Sequence, residues 1–243
     1  MVDVLAAVHR LAGRFGEVAR TTPDDLPLPH LGGWTVRDVV AHLAADHEWA
    51  AEALRTGRRP ARGIGHPRTR GDRLRDRYDA ATAELLALLD DAAARPGQAC
   101  WNFAQGDAGR RDWWPRHQAH EAAVHLWDLQ SATGPHDVAD PVLAADGITE
   151  LAEVYTNRYG GQSLARPLLL RSPGYGAWRV EPGAEAGRVV MRPTDDGGPA
   201  DLEAPPDVLL LALWHRIPAD DPRLVVRGGP EAVRSFLAGP LTA

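Results

Sequence analysis

Apolar residues recur every three or four positions in four stretches of the first half of the chain, which is the spacing of one face of an α-helix. The pattern predicts helices over residues 3–20, from about residue 36 to 56, from about 72 to 94, and from about 115 to 132. Four helices with one longer loop predict a helix bundle.

Residues at the helix boundaries support this division. Thr35 suits an N-cap and Asp38 follows three positions later, which is the spacing of a capping box. Gly57 follows the last apolar position of the second helix, and Pro115 suits the first turn of the fourth. A stretch rich in Gly, Pro and Arg over residues 58–71 predicts a loop between the second and third helices.

The pattern changes after Pro141, where short apolar runs bounded by Gly or Pro alternate with helical stretches. The predicted elements are helices near residues 142–158, over 206–216 and over 230–239, and strands within 166–172, 176–182, 187–193 and 223–229. The predicted fold class is therefore α+β, with a four-helix bundle over residues 1–138 and a smaller α+β domain over residues 139–243.

Composition narrows the class of protein. Of the 243 residues, 44% are hydrophobic and 25% charged, which is ordinary for a globular protein. The net charge of −6 argues against a nucleic-acid partner, because such a protein needs a basic surface. The chain has no run of about 18 apolar residues, so we expect no membrane span.

The N-terminal stretch has acidic residues and amphipathic spacing, so it does not resemble a signal peptide. Cys100 is the single cysteine, which excludes an internal disulfide, and a cytoplasmic location is the default expectation. The chain contains no lysine, since all its 27 basic residues are arginine. Schiff-base chemistry and a P-loop lysine are therefore excluded.

The stretch "RHQAHEAAVHLWD", residues 116–128, holds three histidines and a glutamate. It resembles the zinc-protease signature H-E-x-x-H but is one residue too long. His120 and His125 diverge by roughly 140° around a helix, so they cannot easily share an ion. Glu121 and His125, four positions apart, do share a face, and His117 lies one turn earlier.

A third ligand must come from another helix. His42, in the predicted second helix, has Val39 and Leu43 beside it on the apolar face, so its ring is expected to point into the bundle. A lone histidine there is more often a core residue satisfied by one hydrogen bond. Together with Glu121 and His125 it makes a His₂Glu set, and three protein ligands with one open position describe a catalytic zinc site.

Two segments carry a family resemblance. "WTVRDVVAHLA" and, about 80 residues later, "HEAAVHLWD" resemble the mycothiol-dependent maleylpyruvate isomerase family of the DinB-like superfamily. The resemblance implies a DinB-like four-helix domain followed by a smaller α+β domain related to sterol carrier proteins. It also implies that His42, Glu121 and His125 take the zinc-ligand positions. "LLLALWHR" and "LVVRGGPEAV" fit the same family, with His215 where glycine is common.

The resemblance implies a function. Zinc with an open position can bind a thiol as thiolate, which is the nucleophilic form. Cys100 lies in a predicted loop without a second cysteine, so the thiol is expected to be brought in, and in the family it is mycothiol. The substrate is expected to be a small electrophile. The ligands do not separate an isomerase from an S-transferase, and either a monomer or a homodimer is compatible with the sequence.

Further polar residues are candidates for supporting roles. Asp46, one turn after His42, is predicted either to orient that ring or to lie on a solvated helix face, and with Arg216 it is a candidate for cofactor binding. His47 is predicted at the surface, His120 off the site's face, and His117 facing the site. Trp101, Trp113 and Trp114 line a pocket mouth or belong to the core, and Trp127 and Asp128 are read as packing or capping residues of the fourth helix.

Arginines are the expected anchors for an anionic substrate or cofactor, because the guanidinium fork matches a carboxylate. Arg75 and Arg77 on the third helix, and Arg216 after "LALWH", are the candidates.

Two other functions compete with the thiol-dependent enzyme. The first is a small-molecule or lipid-binding protein in which the metal is structural. The second is a zinc hydrolase that activates water. The hydrolase is less favoured, because no carboxylate lies next to a ligand as it does in H-E-x-x-H.

Overall fold

The computed structural model describes residues 2–61, 73–134, 136, 139–157 and 164–241. Much of the predicted 58–71 loop and the end of the predicted 142–158 helix lie outside these residues. The chain divides into two compact units, Met1–Val138 and Ala139–Ala243.

The first unit is a four-helix bundle, as predicted. Its helices are α1 (Val4–Thr21), α2 (Val36–Thr56), α3 (Arg73–Ala94) and α4 (Trp114–Gln130). Helix α1 packs chiefly on α4 and α2 chiefly on α3, and α4 also contacts α2 and α3. None of the described helices combines the length and the apolar character needed to cross a lipid bilayer.

The predicted helix boundaries agree with the local structure. Asp38 accepts a hydrogen bond of 2.8 Å from the backbone N–H of Thr35, so the capping box is present. Gly57 follows α2 with a φ of 70°, which is the left-handed conformation that glycine adopts at low cost. Pro115 occupies the first turn of α4.

A two-stranded hairpin connects α1 and α2, where the sequence predicted only a break. Strand β1 (Pro27–Leu28) pairs antiparallel with β2 (Trp34–Thr35), and a 3₁₀ turn over Pro29–Leu31 lies between them. Gly32 and Gly33 follow this turn with φ values of 62° and 98°, so the return of the chain uses the freedom of glycine. We call residues 27–35 the 27–35 hairpin.

The second unit combines helices with a five-stranded sheet, which confirms the α+β class. The strands lie in the order β5-β4-β3-β6-β7, with β3–β4, β4–β5 and β6–β7 antiparallel and β3–β6 parallel. The strands are β3 (Leu168–Ser172), β4 (Gly176–Pro182), β5 (Val189–Pro193), β6 (Leu202–Glu203) and β7 (Val225–Val226). The helices are α5 (Pro141–Leu151), which continues into a π-helical turn (Ala152–Thr156), α6 (Pro206–Leu213) and α7 (Pro230–Leu237).

Two differences from the predicted elements have local causes. The sequence missed β6, because a two-residue strand carries no periodic signal. The helix predicted over 206–216 ends at Leu213, and His215 follows with a φ of 57°. This left-handed conformation costs a side-chain-bearing residue roughly 1–2 kcal/mol, which explains why glycine suits the position.

His47 is buried, so its predicted surface position is wrong. Its exposed fraction is 0%, and its Nδ1 lies 2.9 Å from the Thr82 hydroxyl on α3. The close packing of α2 on α3 covers the face of α2 that carries this ring. Burial, with a smaller contribution from the charge of His125, lowers the pKa of His47 to about 3.

The burial of His47 predicts an acid-sensitive term in stability. Between pH 6.5 and about 3 the unfolded chain protonates this imidazole and the folded protein does not. The free energy of unfolding should therefore fall by about 1.4 kcal/mol for each pH unit lost in that range because of His47. Urea unfolding from pH 6.5 to 4.5 would measure this effect. The free energy of unfolding of His47→Gln should change less with pH than that of the wild type, by about 1.4 kcal/mol per pH unit, the contribution of one proton.

The matched control is Val40→Ala, because Val40 is a completely buried residue of the same helix and its loss removes no titrating group. This variant should keep the wild-type slope of this free energy against pH. An unchanged slope in His47→Gln would show that another group causes the acid sensitivity.

Candidate metal centre

Helix α4 is buried along most of its length and carries an unusual number of buried polar side chains. They are His117, Gln118, His120, Glu121, His125, Asp128 and Gln130. Each such group costs free energy in a core unless a partner satisfies it, and an apolar helix would give a more stable bundle. A concentration of this kind therefore indicates a site rather than a packing solution.

Three of the predicted site residues converge at one point. His42 on α2 and Glu121 and His125 on α4 each offer one ligand atom, and these atoms lie within 4.8 Å of one another. The Nε2 atom of His125 is 3.5 Å from Oε2 of Glu121. The rings of His42 and His125 meet edge to face, with centroids 4.9 Å apart.

Local structure explains this convergence. Glu121 and His125 are one helical turn apart, so they share a face of α4. Val39 and Leu43 are both fully buried, so the part of α2 that carries His42 faces the bundle core. We call His42, Glu121 and His125 the His–Glu–His cluster.

The cluster fits a divalent metal of the zinc type. Two imidazoles and a carboxylate are the donor set of many catalytic zinc sites, and such a set leaves a position open. Glu121 and His125 are buried whereas His42 is half-buried, so the cluster is not a chance surface grouping of acidic residues. The ligand roles of the three residues remain predictions.

The charge of Glu121 is stabilised by its surroundings. Burial alone would raise the pKa of this carboxyl group. The contact with His125 and the nearby charges of His117, His125 and His42 together outweigh burial and hold the pKa below its usual range. The side chain is therefore ionised, which is the form that binds a metal.

Asp128 supports His125 from the side away from Glu121, a role the sequence interpretation missed. It is completely buried, and its Oδ2 accepts a hydrogen bond of 2.9 Å from Nδ1 of His125. Its Oδ1 accepts a second bond of 2.9 Å, from Nε2 of His30. An aspartate three positions after a ligand histidine on a helix is a signal that would have found it.

His125 carries a proton that a metal must displace. Burial would lower the pKa of His125, but the hydrogen bond from Nδ1 to Asp128 and the contact of Nε2 with Glu121 raise it to about 9. Because Asp128 holds the Nδ1 proton, the proton on Nε2 is the one that a metal would replace.

Asp46 is buried, with an exposed fraction of 2%, so it does not lie on a solvated helix face. Its Oδ2 accepts a hydrogen bond of 2.9 Å from Nε2 of Gln118. This bond joins Asp46 to α4 and does not orient the His42 ring. Burial, followed by the negative charge of Glu121, raises the pKa of Asp46 to about 6. Its proposed part in cofactor binding is an open prediction.

The remaining histidines of α4 lie near the cluster but are not part of it. His117 is buried, its Nε2 is 3.9 Å from Oε1 of Glu121, and its ring stacks on Trp113 at 4.5 Å. It therefore neighbours Glu121, as expected from its position one turn earlier. His120 is also buried but is absent from the cluster, which agrees with its divergence from His125 around the helix.

The tryptophans near α4 are mainly core residues. Trp101 and Trp114 are buried, and both pack against Trp49 at ring-centroid distances of 5.4 and 6.0 Å. Trp113 is half-buried and contacts both Trp114 and His117. Trp113 and Trp114 therefore pack against His117, which neighbours Glu121.

The two arginines of α3 have protein acceptors. Arg75 donates hydrogen bonds to the carbonyl oxygens of Ala19 and Thr22 and to the carboxylate of Asp24. Arg77 forms a two-pronged pair with Glu48 at 2.6 and 2.5 Å. These contacts tie α3 to the end of α1 and to α2, and a catalytic role for either arginine remains untested.

Arg216 belongs to the second unit. It donates a hydrogen bond of 2.9 Å to the carbonyl oxygen of Trp214, and its guanidinium carbon lies 5.6 Å from the centre of the Trp214 ring. The ring holds the half-buried side chain by a cation–π contact. Substrate recognition by Arg216 also remains a prediction.

The fold and the cluster define a class of protein, a helical bundle with a candidate metal centre built from inward side chains on facing helices. The family described as mycothiol maleylpyruvate isomerase N-terminal domain matches residues 4–130, and the chain belongs to that family. The match confirms the resemblance carried by the two histidine motifs. No curated protein and no solved structure gives a significant match to the chain.

The matched residues include the whole His–Glu–His cluster and end before the second unit begins. The sterol-carrier relationship expected of the second unit therefore rests on the sequence resemblance alone.

The register of α4 predicts which histidine binds a metal. His125→Ala should weaken zinc or cobalt binding at least about 100-fold, because it removes one of three ligands. His120→Ala should keep one tightly bound ion per chain, because His120 is outside the cluster. Chelator competition, with metal analysis of the dialysed protein, would measure both. Loss of the ion in His120→Ala with retention in His125→Ala would exclude the cluster as the metal site.

Proposed function

We propose that the protein is a zinc-dependent enzyme in which the thiolate of mycothiol attacks a small electrophilic substrate. The observation that carries this proposal is the convergence of two imidazoles and an ionised carboxylate in the interior of a bundle. Membership of a family named for mycothiol and maleylpyruvate isomerase supports the thiol and the type of reaction.

The chemistry of the ligand atoms assigns a role to each residue of the site. A bound zinc ion would supply a Lewis acid at which the thiol loses its proton to solvent and stays nucleophilic. Glu121 supplies the one negative charge of the cluster, and His42 and His125 act as neutral donors. Asp128 keeps the Nδ1 proton of His125 in place, so that Nε2 remains the donor atom.

The thiolate can react with the substrate in two ways. In an isomerase, the sulfur adds to a conjugated double bond, the C–S bond forms and the π electrons move to the substrate's carbonyl group. The former double bond rotates, and the C–S bond then breaks to release the thiolate. In an S-transferase the C–S bond remains, and either a proton from solvent or the departure of a leaving group completes the step.

The protein's own thiol is poorly suited to this task. Cys100 is 1% exposed, and its Sγ donates a weak hydrogen bond to the carbonyl oxygen of Ala53 at 3.4 Å. Burial raises the pKa of this thiol, so it is less ionised than an ordinary cysteine. An external thiol is therefore the better nucleophile.

Arg216 is our proposed anchor for an anionic group of the substrate or of the thiol. Arg75 and Arg77, the other two candidates, donate to Asp24 and Glu48 in the bundle. The Trp214 ring supports the Arg216 guanidinium, and a planar cation held in this way suits a carboxylate.

Cobalt offers a direct test of the external thiol. With Co²⁺ in place of zinc, added mycothiol should produce a sulfur-to-metal charge-transfer band in the near ultraviolet and release a proton. Cys100→Ser should show the same band, because the sulfur comes from mycothiol. His125→Ala should show neither the band nor bound cobalt.

Three other outcomes would overturn the proposal. Loss of the band in Cys100→Ser would identify the protein's own sulfur as the ligand. Hydrolysis of a substrate without any band would favour a zinc-bound water. Tight cobalt binding with no response to thiol and no turnover would favour a binding protein with a structural metal.

Arg216→Ala should raise KM for an anionic electrophile, by about tenfold or more if one charged hydrogen bond is lost, and leave the metal content unchanged. Arg223→Ala is the matched control, because Arg223 belongs to the same unit and pairs with Asp221 at the surface. Steady-state kinetics and metal analysis would compare the two variants. If KM of Arg216→Ala equals that of the Arg223→Ala control, Arg216 does not bind the substrate.

A further inference from the structure

The 27–35 hairpin contacts His42 of the cluster directly and reaches His125 through Asp128. Its Trp34 ring lies 5.3 Å from the ring of His42. Its His30 reaches Asp128 on α4, and Asp128 in turn holds His125. Two separate contacts thus lead from one short connection to the two imidazoles.

Asp128 is the shared acceptor between the hairpin and the cluster. Both of its carboxylate oxygens are used, one for each histidine, and the side chain is completely buried. An ionised carboxylate can only accept hydrogen bonds, so His30 donates from Nε2 and His125 donates from Nδ1. This arrangement presents Nε2 of His125 toward Glu121.

Packing fixes the position of His30. The 3₁₀ turn that contains it is closed by the pairing of Leu28 with Trp34, and Leu28 is completely buried. The His30 ring packs edge-on against Trp127 with centroids 5.2 Å apart, and its side chain is 15% exposed. Packing against Trp127 therefore helps to hold the donor of the second hydrogen bond in place.

We propose that His30 and Asp128 are positioning residues of the metal centre, and that the 27–35 hairpin supports metal affinity through them. The inference rests on the metal site of the proposed function. Asp128 sets the proton of His125 on the nitrogen away from the cluster, and His30 holds the Asp128 carboxylate in the orientation that does so. Outer partners of this kind change metal affinity by about 10- to 100-fold.

Replacement of Asp128 by Asn tests the tautomer directly. The amide of Asp128→Asn can turn its NH₂ group toward His125, which would move the imidazole proton to Nε2 and block coordination. We expect cobalt affinity to fall about 10- to 100-fold in Asp128→Asn and by a smaller factor in His30→Gln. Chelator competition on the full-length protein would measure both.

His9→Gln is the matched control for the loss of a histidine–aspartate pair. His9 Nε2 lies 2.8 Å from Asp90 Oδ1, a distance close to that of the His30–Asp128 pair, but the pair is at the surface between α1 and α3. Its cobalt affinity should equal that of the wild type. Thermal unfolding of each metal-free variant would establish that the bundle is intact.

A double-variant cycle separates positioning from a general effect on structure. If His30 acts through Asp128, His30→Gln should lower cobalt affinity in the wild-type background and have little further effect in Asp128→Asn. If His30→Gln lowers cobalt affinity by the same factor in both backgrounds, His30 does not act through Asp128. If Asp128→Asn does not fold, His30→Gln alone decides, and cobalt affinity within twofold of the wild type would refute the proposal.

These results are distinguishable from a failure of the proposed function. Metal affinity is measured without thiol or substrate, so a protein that binds cobalt but never uses mycothiol would leave this inference standing. A wild-type protein that binds cobalt no better than His125→Ala would overturn both.

Discussion

The ionised carboxylate of Glu121 in the interior of the bundle is the interaction on which the rest of the site depends. A charge in a protein core must be partnered or it destabilises the fold. Here the partners are His42, His117 and His125, which together hold the pKa of Glu121 below its usual range in spite of burial. The same three histidines exclude apolar packing at this point, so the bundle is organised around a polar centre.

In the metal-free protein, the negative charge of Glu121 is neutralised by the proton that His125 carries. A metal ion can replace this proton. Burial would lower the pKa of His125, but Asp128 and Glu121, on opposite sides of its ring, raise it to about 9. A divalent ion would take the place of the Nε2 proton and keep the contact between positive and negative charge. The buried Cys100 lies outside this exchange, which is why an external thiol fits the proposed chemistry better.

The connections between helices and strands also fix the positions of candidate site residues. The 27–35 hairpin packs Trp34 against His42 and places His30 against Asp128, the hydrogen-bond partner of His125. In the second unit, Trp214 follows the last residue of α6, His215 then adopts a left-handed conformation, and Arg216 comes next. The direction in which the chain leaves α6 is therefore set by one strained residue.

The sequence by itself determined the helices of the bundle, their caps at Thr35 and Gly57, and the shared face of Glu121 and His125. Each of these depends on residues a few positions apart, where helical geometry is the same in any fold. Only the tertiary structure decided that His47 is buried and that His30 bonds to Asp128, residues separated by 98 positions. Periodicity shows which side of a helix is apolar, but the rotation of one helix against another decides which polar groups meet.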